Sequence, residues 1–190
     1  MTDRGPVILN PGDIFFTRGS GLISRAIRLC TRAIGESRTQ VNHVGLIVRG
    51  GPVAEAWAVE ALSKVRLHRL HDRYGPPCTD QVAVYRPITA APEQIDAITR
   101  SAIEYTGRAY GILKIAAHFV DWLLCGAYAA RRLTSSDNYP ICSWVVAHAY
   151  AAAGISLGAA PGAATPDDIW DHVTARPGEF LCVLPLGRLA

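Results

Sequence analysis

The chain has 190 residues, 49% of them hydrophobic and 18% charged, with a formal net charge of +3. That length fits one domain with a sizeable core, and the balance excludes a disordered chain. The basic residues are scattered through residues 18–38 and 66–73 rather than run together, so they read as a solvated face and not as a nucleic-acid footprint.

Taken in chain order, Pro11 to Thr17 reads as a turn followed by a short strand rich in β-formers. Ser20 can cap a helix through about Arg32, with Leu22, Ile23, Ala26, Ile27 and Leu29 near helical spacing, and Gly35 ends it. Val41 to Val48 is a buried strand, and Arg49-Gly50-Gly51-Pro52 turns the chain. Ala56 to Leu62 returns antiparallel. Val65 to Leu70 alternates apolar and basic residues, as a half-exposed strand does. Val82 to Tyr85 is a further strand, stopped by Pro87. Pro92 then opens a helix from Glu93 to about Thr106, closed by Gly107. Tyr110 to Ala130 is very apolar, but Lys114, His118 and Asp121 interrupt it, so it reads as a buried helix rather than a membrane span. Thr134 to Tyr139 is a polar loop and Cys142 to Ala153 an alanine-rich helix ended by Gly154. Ala159 to Thr165 is a loop of small residues, Pro166 starts a short helix, and Phe180 to Leu184 is a last strand. The expectation is an α+β domain over residues 1–190, a small antiparallel sheet packed against helices.

The five cysteines are odd in number, widely spaced and without CxxC pairs, which argues against both a disulfide framework and a ribbon-type zinc site. The N-terminal residues lack a signal-peptide core, so a cytoplasmic location is expected, with association with a phage left open. No cofactor is implied, and the oligomeric state is not legible. His68-x-x-His71 with Cys78 has metal-ligand residue types, but its spacing fits no established zinc pattern. Ser20, between two glycines, lacks the strand-to-helix elbow of a serine hydrolase.

Chemistry concentrates at Cys142. It follows Asn138-Tyr139-Pro140-Ile141 and opens a helix, because the residue before a proline is pushed out of the helical region. A thiol at a helix N-terminus feels the positive end of the macrodipole and lies among unsatisfied amides. Both lower its pKa, and the same amides suit an oxyanion. The same position also suits a packed core cysteine, so its partners decide. His43 opens a buried strand beside Asn42, and Gly45, two residues on, is of the kind that marks a close backbone or ligand approach.

These residues, with Pro11-Gly12-Asp13-Ile14-Phe15, residues 24–31, Gly107 to Tyr110, Tyr139-x-x-Cys142-Ser143 and Thr165-Pro166-Asp167-Asp168, resemble the circularly permuted NlpC/P60 (papain-like) hydrolases of the YiiX/YaeF type. The likeness runs from about Pro11 to Trp170, and its specific part is order: the histidine strand precedes the cysteine helix. The resemblance implies a Cys–His pair with a third polar residue on the strand after histidine, often a glutamate before alanine. Glu55-Ala56 and Glu60-Ala61 both match. A hairpin turn centred on Gly51-Pro52 pairs position 43 with position 60 on one face, which favours Glu60 over Glu55. The resemblance further implies hydrolysis of an amide or ester in a cell-wall peptide or a lipid, while a catalytically idle binding module on the same fold is the alternative. Trp144 stands where family members often carry glutamate, and is expected to alter the pocket wall. Tyr139 and Asp13 read as packing and turn residues.

Overall fold

The structure is a computed structural model that describes residues 6–19, 40–108 and 142–189. The expected helix from Ser20, the apolar stretch Tyr110 to Ala130 and Tyr139 lie outside the described residues. The elements are β1 (Ile8–Leu9), β2 (Ile14–Arg18), β3 (His43–Arg49), β4 (Gly51–Pro52), β5 (Trp57–Ala61), β6 (Val65–Arg69), α1 (Leu70–Tyr74), β7 (Gln81–Pro87), α2 (Pro92–Glu104), α3 (Cys142–Ala152), α4 (Pro166–Thr174) and β8 (Phe180–Gly187). Six strands form one antiparallel sheet in the order β6-β5-β3-β2-β7-β8, and β1 pairs with β4 beside it. Among the described residues, no helix is long and apolar enough to cross a membrane.

Both faces of the sheet are covered, which explains why β2 and β3 read as continuous apolar runs instead of alternating ones. Successive side chains leave a strand on opposite faces. Ile14, Phe16, Val44, Leu46, Val59 and Ala61 therefore enter the larger core with Val145, Val146 and Tyr150 of α3 and Ile98 of α2. Phe15, Ile47, Ala58, Val82 and Val84 enter a second cluster, closed by Leu70 and Tyr74 of α1 and by Leu9 and Leu189. The short helix α1, which the sequence pattern did not suggest, is thus what shields the second face. β6, at the sheet edge, is half-exposed, but the expected alternation does not hold: Val65 is buried while Leu67 is exposed and His68 is half-buried.

Helix α3 is buried on nearly every side, as a helix apolar all round must be. Its C-terminus is closed by Gly154 at φ +75°: the Ile155 N–H donates to the Tyr150 carbonyl at 3.0 Å and the Gly154 N–H to that of Ala151 at 3.0 Å, a Schellman pair. The Tyr150 hydroxyl donates to the Gly12 carbonyl at 2.7 Å and so ties α3 to the turn before β2. In that turn Asp13 is fully buried and accepts from both ends of the Arg86 guanidinium, at 2.9 and 2.8 Å, and from the Asn10 N–H at 2.8 Å. Asp13 is a structural anchor, as its turn position suggested. The Thr165-Pro166-Asp167-Asp168 motif is a helix cap: the Asp168 N–H donates to Thr165 Oγ1 at 3.1 Å, and the Thr165 N–H donates to Asp168 Oδ2 at 2.8 Å.

Candidate active site

His43 is the first residue of β3, opposite Thr17 of β2, and it is 9% exposed. Its register with Glu60 differs from the hairpin arithmetic. Leu46 faces Val59 and Ile47 faces Ala58, with an irregularity between Ile47 and Arg49. Continuing this pairing puts Gly45, not His43, opposite Glu60, and His43 lies on the diagonal. The physical reason is that Gly51 and Pro52 pair with β1 instead of forming the turn, which falls at Val53 to Glu55. Diagonal neighbours on one face are about 7–8 Å apart, within reach of long side chains. Glu60 therefore still meets His43, while Glu55 is exposed in the turn.

Gly45 has a different task from the one expected of it. A Cβ there would run into the Phe15 ring and approach the Val59 carbonyl oxygen at 2.9 Å. Phe15, its cross-strand partner, occupies the missing side-chain space and sets its edge against His43, with ring centroids 6.5 Å apart. The close approach is by a packing ring, and it supports the histidine from the side.

Cys142 is the first residue of α3 and is buried. His43 donates through Nε2 to Glu60 Oε2, so Nδ1 is the ring nitrogen left for the hydrogen bond with the Cys142 thiol. Burial works against charge on both partners. For His43 it is outweighed by the Cys142 thiolate and the Glu60 carboxylate, and the imidazole is pushed up to about 10. For Cys142 it is outweighed by the His43 imidazolium, helped by the backbone N–H groups of Val44 and Ser143, and the thiol titrates below its ordinary value. Each partner favours the charged form of the other, which draws the pair towards thiolate and imidazolium. The thiolate is the form in which a cysteine is nucleophilic.

Glu60 has a fully buried side chain that nevertheless stays ionised. Burial alone would raise its pKa, but His43, His68 and Tyr74 hold it well below the usual carboxylate range. The Tyr74 hydroxyl donates to Oε2 at 2.6 Å, His68 Nε2 lies 2.6 Å from Oε1, and Arg73 Nε approaches Oε1 at 3.4 Å. The sequence reading did not assign these three residues to the site. A signal for His68 was present: Glu60 pairs with Arg66 and Ala58 with His68, so His68 shares the face of Glu60. Tyr74 and Arg73 arrive on α1, for which no comparable signal exists.

Other candidates go elsewhere. His68 turns to Glu60, while the His71 ring packs against Gly75, so the His68-x-x-His71 spacing does not converge with Cys78. Among the described residues, no three His, Cys, Asp or Glu side chains are grouped to hold a metal ion. Trp144 is buried between Tyr105 and His148, with ring centroids at 4.9 and 3.9 Å, so among the described residues it packs between the end of α2 and α3.

No family model and no curated protein matches the sequence. Among solved structures, the chain is similar to yiiX of Escherichia coli O157:H7, described as a metalloprotein of the group DUF1105. The two share 20% identity and a TM-score of 0.54, with 95% of this chain and 96% of that chain covered. At this identity the likeness is one of fold: the chain has a yiiX-like arrangement of mixed helices and antiparallel strands.

Proposed function

We propose that the protein is a cysteine hydrolase, built as a circularly permuted papain-like (NlpC/P60) domain, that cleaves an amide or ester bond in a cell-wall peptide or a lipid. The observation that carries this reading is the unbroken line of contacts from the Cys142 thiol through His43 to the Glu60 carboxylate. In the reaction, the Cys142 thiolate adds to the substrate carbonyl carbon and forms a C–S bond. First-turn amides of α3, which lack partners within the helix, suit the oxyanion. His43 gives its proton to the departing amine or alcohol as the carbonyl–heteroatom bond breaks. It then takes a proton from water, whose oxygen displaces the thiolate and releases the acid. Glu60 keeps Nε2 of His43 protonated, so Nδ1 faces the thiol throughout.

The yiiX description as a metalloprotein raises a metal for this chain too. The donor set does not fit one: both Glu60 oxygens are already taken by His43, Tyr74 and His68, and the thiol is paired with His43.

The test is a panel of peptidoglycan fragments and acyl lipids incubated with wild type and Cys142→Ala. Wild type is expected to release product from one class, and the variant from none. Turnover that survives in Cys142→Ala would contradict the assignment, and binding without turnover by wild type would leave the idle module as the better reading.

A further inference from the structure

The environment of His68 fixes its protonation by donor and acceptor arithmetic. Its Nδ1 lies 2.8 Å from the Arg69 carbonyl oxygen, and its Nε2 lies 2.6 Å from Glu60 Oε1. A peptide carbonyl only accepts, and an ionised carboxylate only accepts. Each contact therefore needs a proton on the nitrogen, and a ring with protons on both nitrogens is an imidazolium. The carboxylate has no proton to lend, because the His43 imidazolium and the Tyr74 hydroxyl on its other oxygen help to hold it well below the usual carboxylate range.

We propose that His68 is a charged positioning residue: at neutral pH it is an imidazolium that bridges the Glu60 carboxylate and the Arg69 carbonyl, and holds the group that orients His43. It touches neither the thiol nor a reacting atom. Its effect is to occupy Oε1 so that Oε2 stays on His43, and to place a positive charge across the carboxylate from the His43 imidazolium. For its catalytic consequence the inference rests on the hydrolase reading; for the charge on His68 it does not.

The other charges around the ring are accounted for. From α1, Arg73 approaches the same Oε1 at 3.4 Å and opposes a second cation, while Tyr74 donates to the far oxygen. From β3, His43 lies beyond the carboxylate. On β6 itself, the Arg66 guanidinium turns to Ser63 and that of Arg69 lies over the Trp57 ring, 5.8 Å from its centroid. Burial and Arg73 disfavour charge on His68, but Glu60 and the Arg69 carbonyl outweigh them, so the ring titrates above its ordinary value.

The test is long-range proton–nitrogen NMR on the ring nitrogens of 15N-labelled protein. In wild type at pH 7, both His68 nitrogens are expected to show imidazolium shifts, with a titration midpoint above the ordinary value of about 6.5. In Glu60→Gln the His68 midpoint should fall towards that ordinary value. In His68→Gln, which keeps a donor for Oε1 and removes the charge, the His43 midpoint should rise. Singly protonated His68 in wild type would overturn the proposal, and that result depends on no variant folding. A His43 midpoint that stays or falls in His68→Gln would overturn the charge effect. An unreactive Cys142 beside a doubly protonated His68 would sink the hydrolase reading alone, and a neutral His68 beside a reactive Cys142 would sink this inference alone.

Discussion

Glu60 carries no exposed surface, yet three side chains donate hydrogen bonds to it and a guanidinium stands beside it. A buried carboxylate survives as an anion only when such partners replace the water it has lost. This arrangement has a pH signature. His68 titrates above its unfolded value, so it contributes stability that is fully present below about pH 6.5 and is lost as the pH rises through its folded value. The stability gap between wild type and His68→Gln should accordingly be widest in mild acid and shrink towards alkaline pH, as urea unfolding at several pH values would show. A gap that ignores pH would contradict the charge. Removing the carboxylate partner is also costly elsewhere: Arg86→Met strands the buried Asp13, and should lower unfolding free energy by about 3 kcal/mol. At this scale the sequence was informative about residue types and less so about their surroundings. Cys142, His43 and Glu60 stood out, but Glu60 was preferred over Glu55 from a register that the hairpin does not adopt. Glu60 nonetheless meets His43 along the diagonal.

The elements explain why that diagonal is open. Gly45 stands opposite Glu60 and offers no side chain, and the Phe15 ring from β2 fills the gap. Gly45→Ala should therefore force Phe15 or the β5 backbone aside, at a cost of roughly 1–3 kcal/mol, and Phe15→Leu in the same chain should return part of it. If the single substitution leaves the urea midpoint unchanged, the close packing described for Gly45 is wrong. The helix caps are simpler: Thr165→Ala should cost about 1 kcal/mol by removing the acceptor for the Asp168 N–H. Strands β2, β3, β5 and β6 and helices α2 and α3 were legible from apolar runs, prolines and terminal glycines. The helix α1 was not, since Leu70 to Tyr74 is too short for periodicity to register. With it went Tyr74 and Arg73, which only the folded chain brings to Glu60.

At the scale of the whole molecule, the site exists because distant parts of the chain meet. β3 opens with His43 in the first half, and α3 opens with Cys142 much later, packed on the same sheet. α1 closes the other face and brings Tyr74 and Arg73 to the carboxylate. Neither half holds Cys142, His43 and Glu60 together. The most direct test is the alkylation rate of Cys142 by iodoacetamide as a function of pH, mapped by mass spectrometry with exposed Cys182 as the internal reference. The account predicts that Cys142 reacts faster than Cys182 at neutral pH, with a midpoint below the ordinary thiol value of about 8.5, and that His43→Ala removes the advantage. A Cys142 that reacts more slowly than Cys182 and follows the ordinary thiol titration would contradict it.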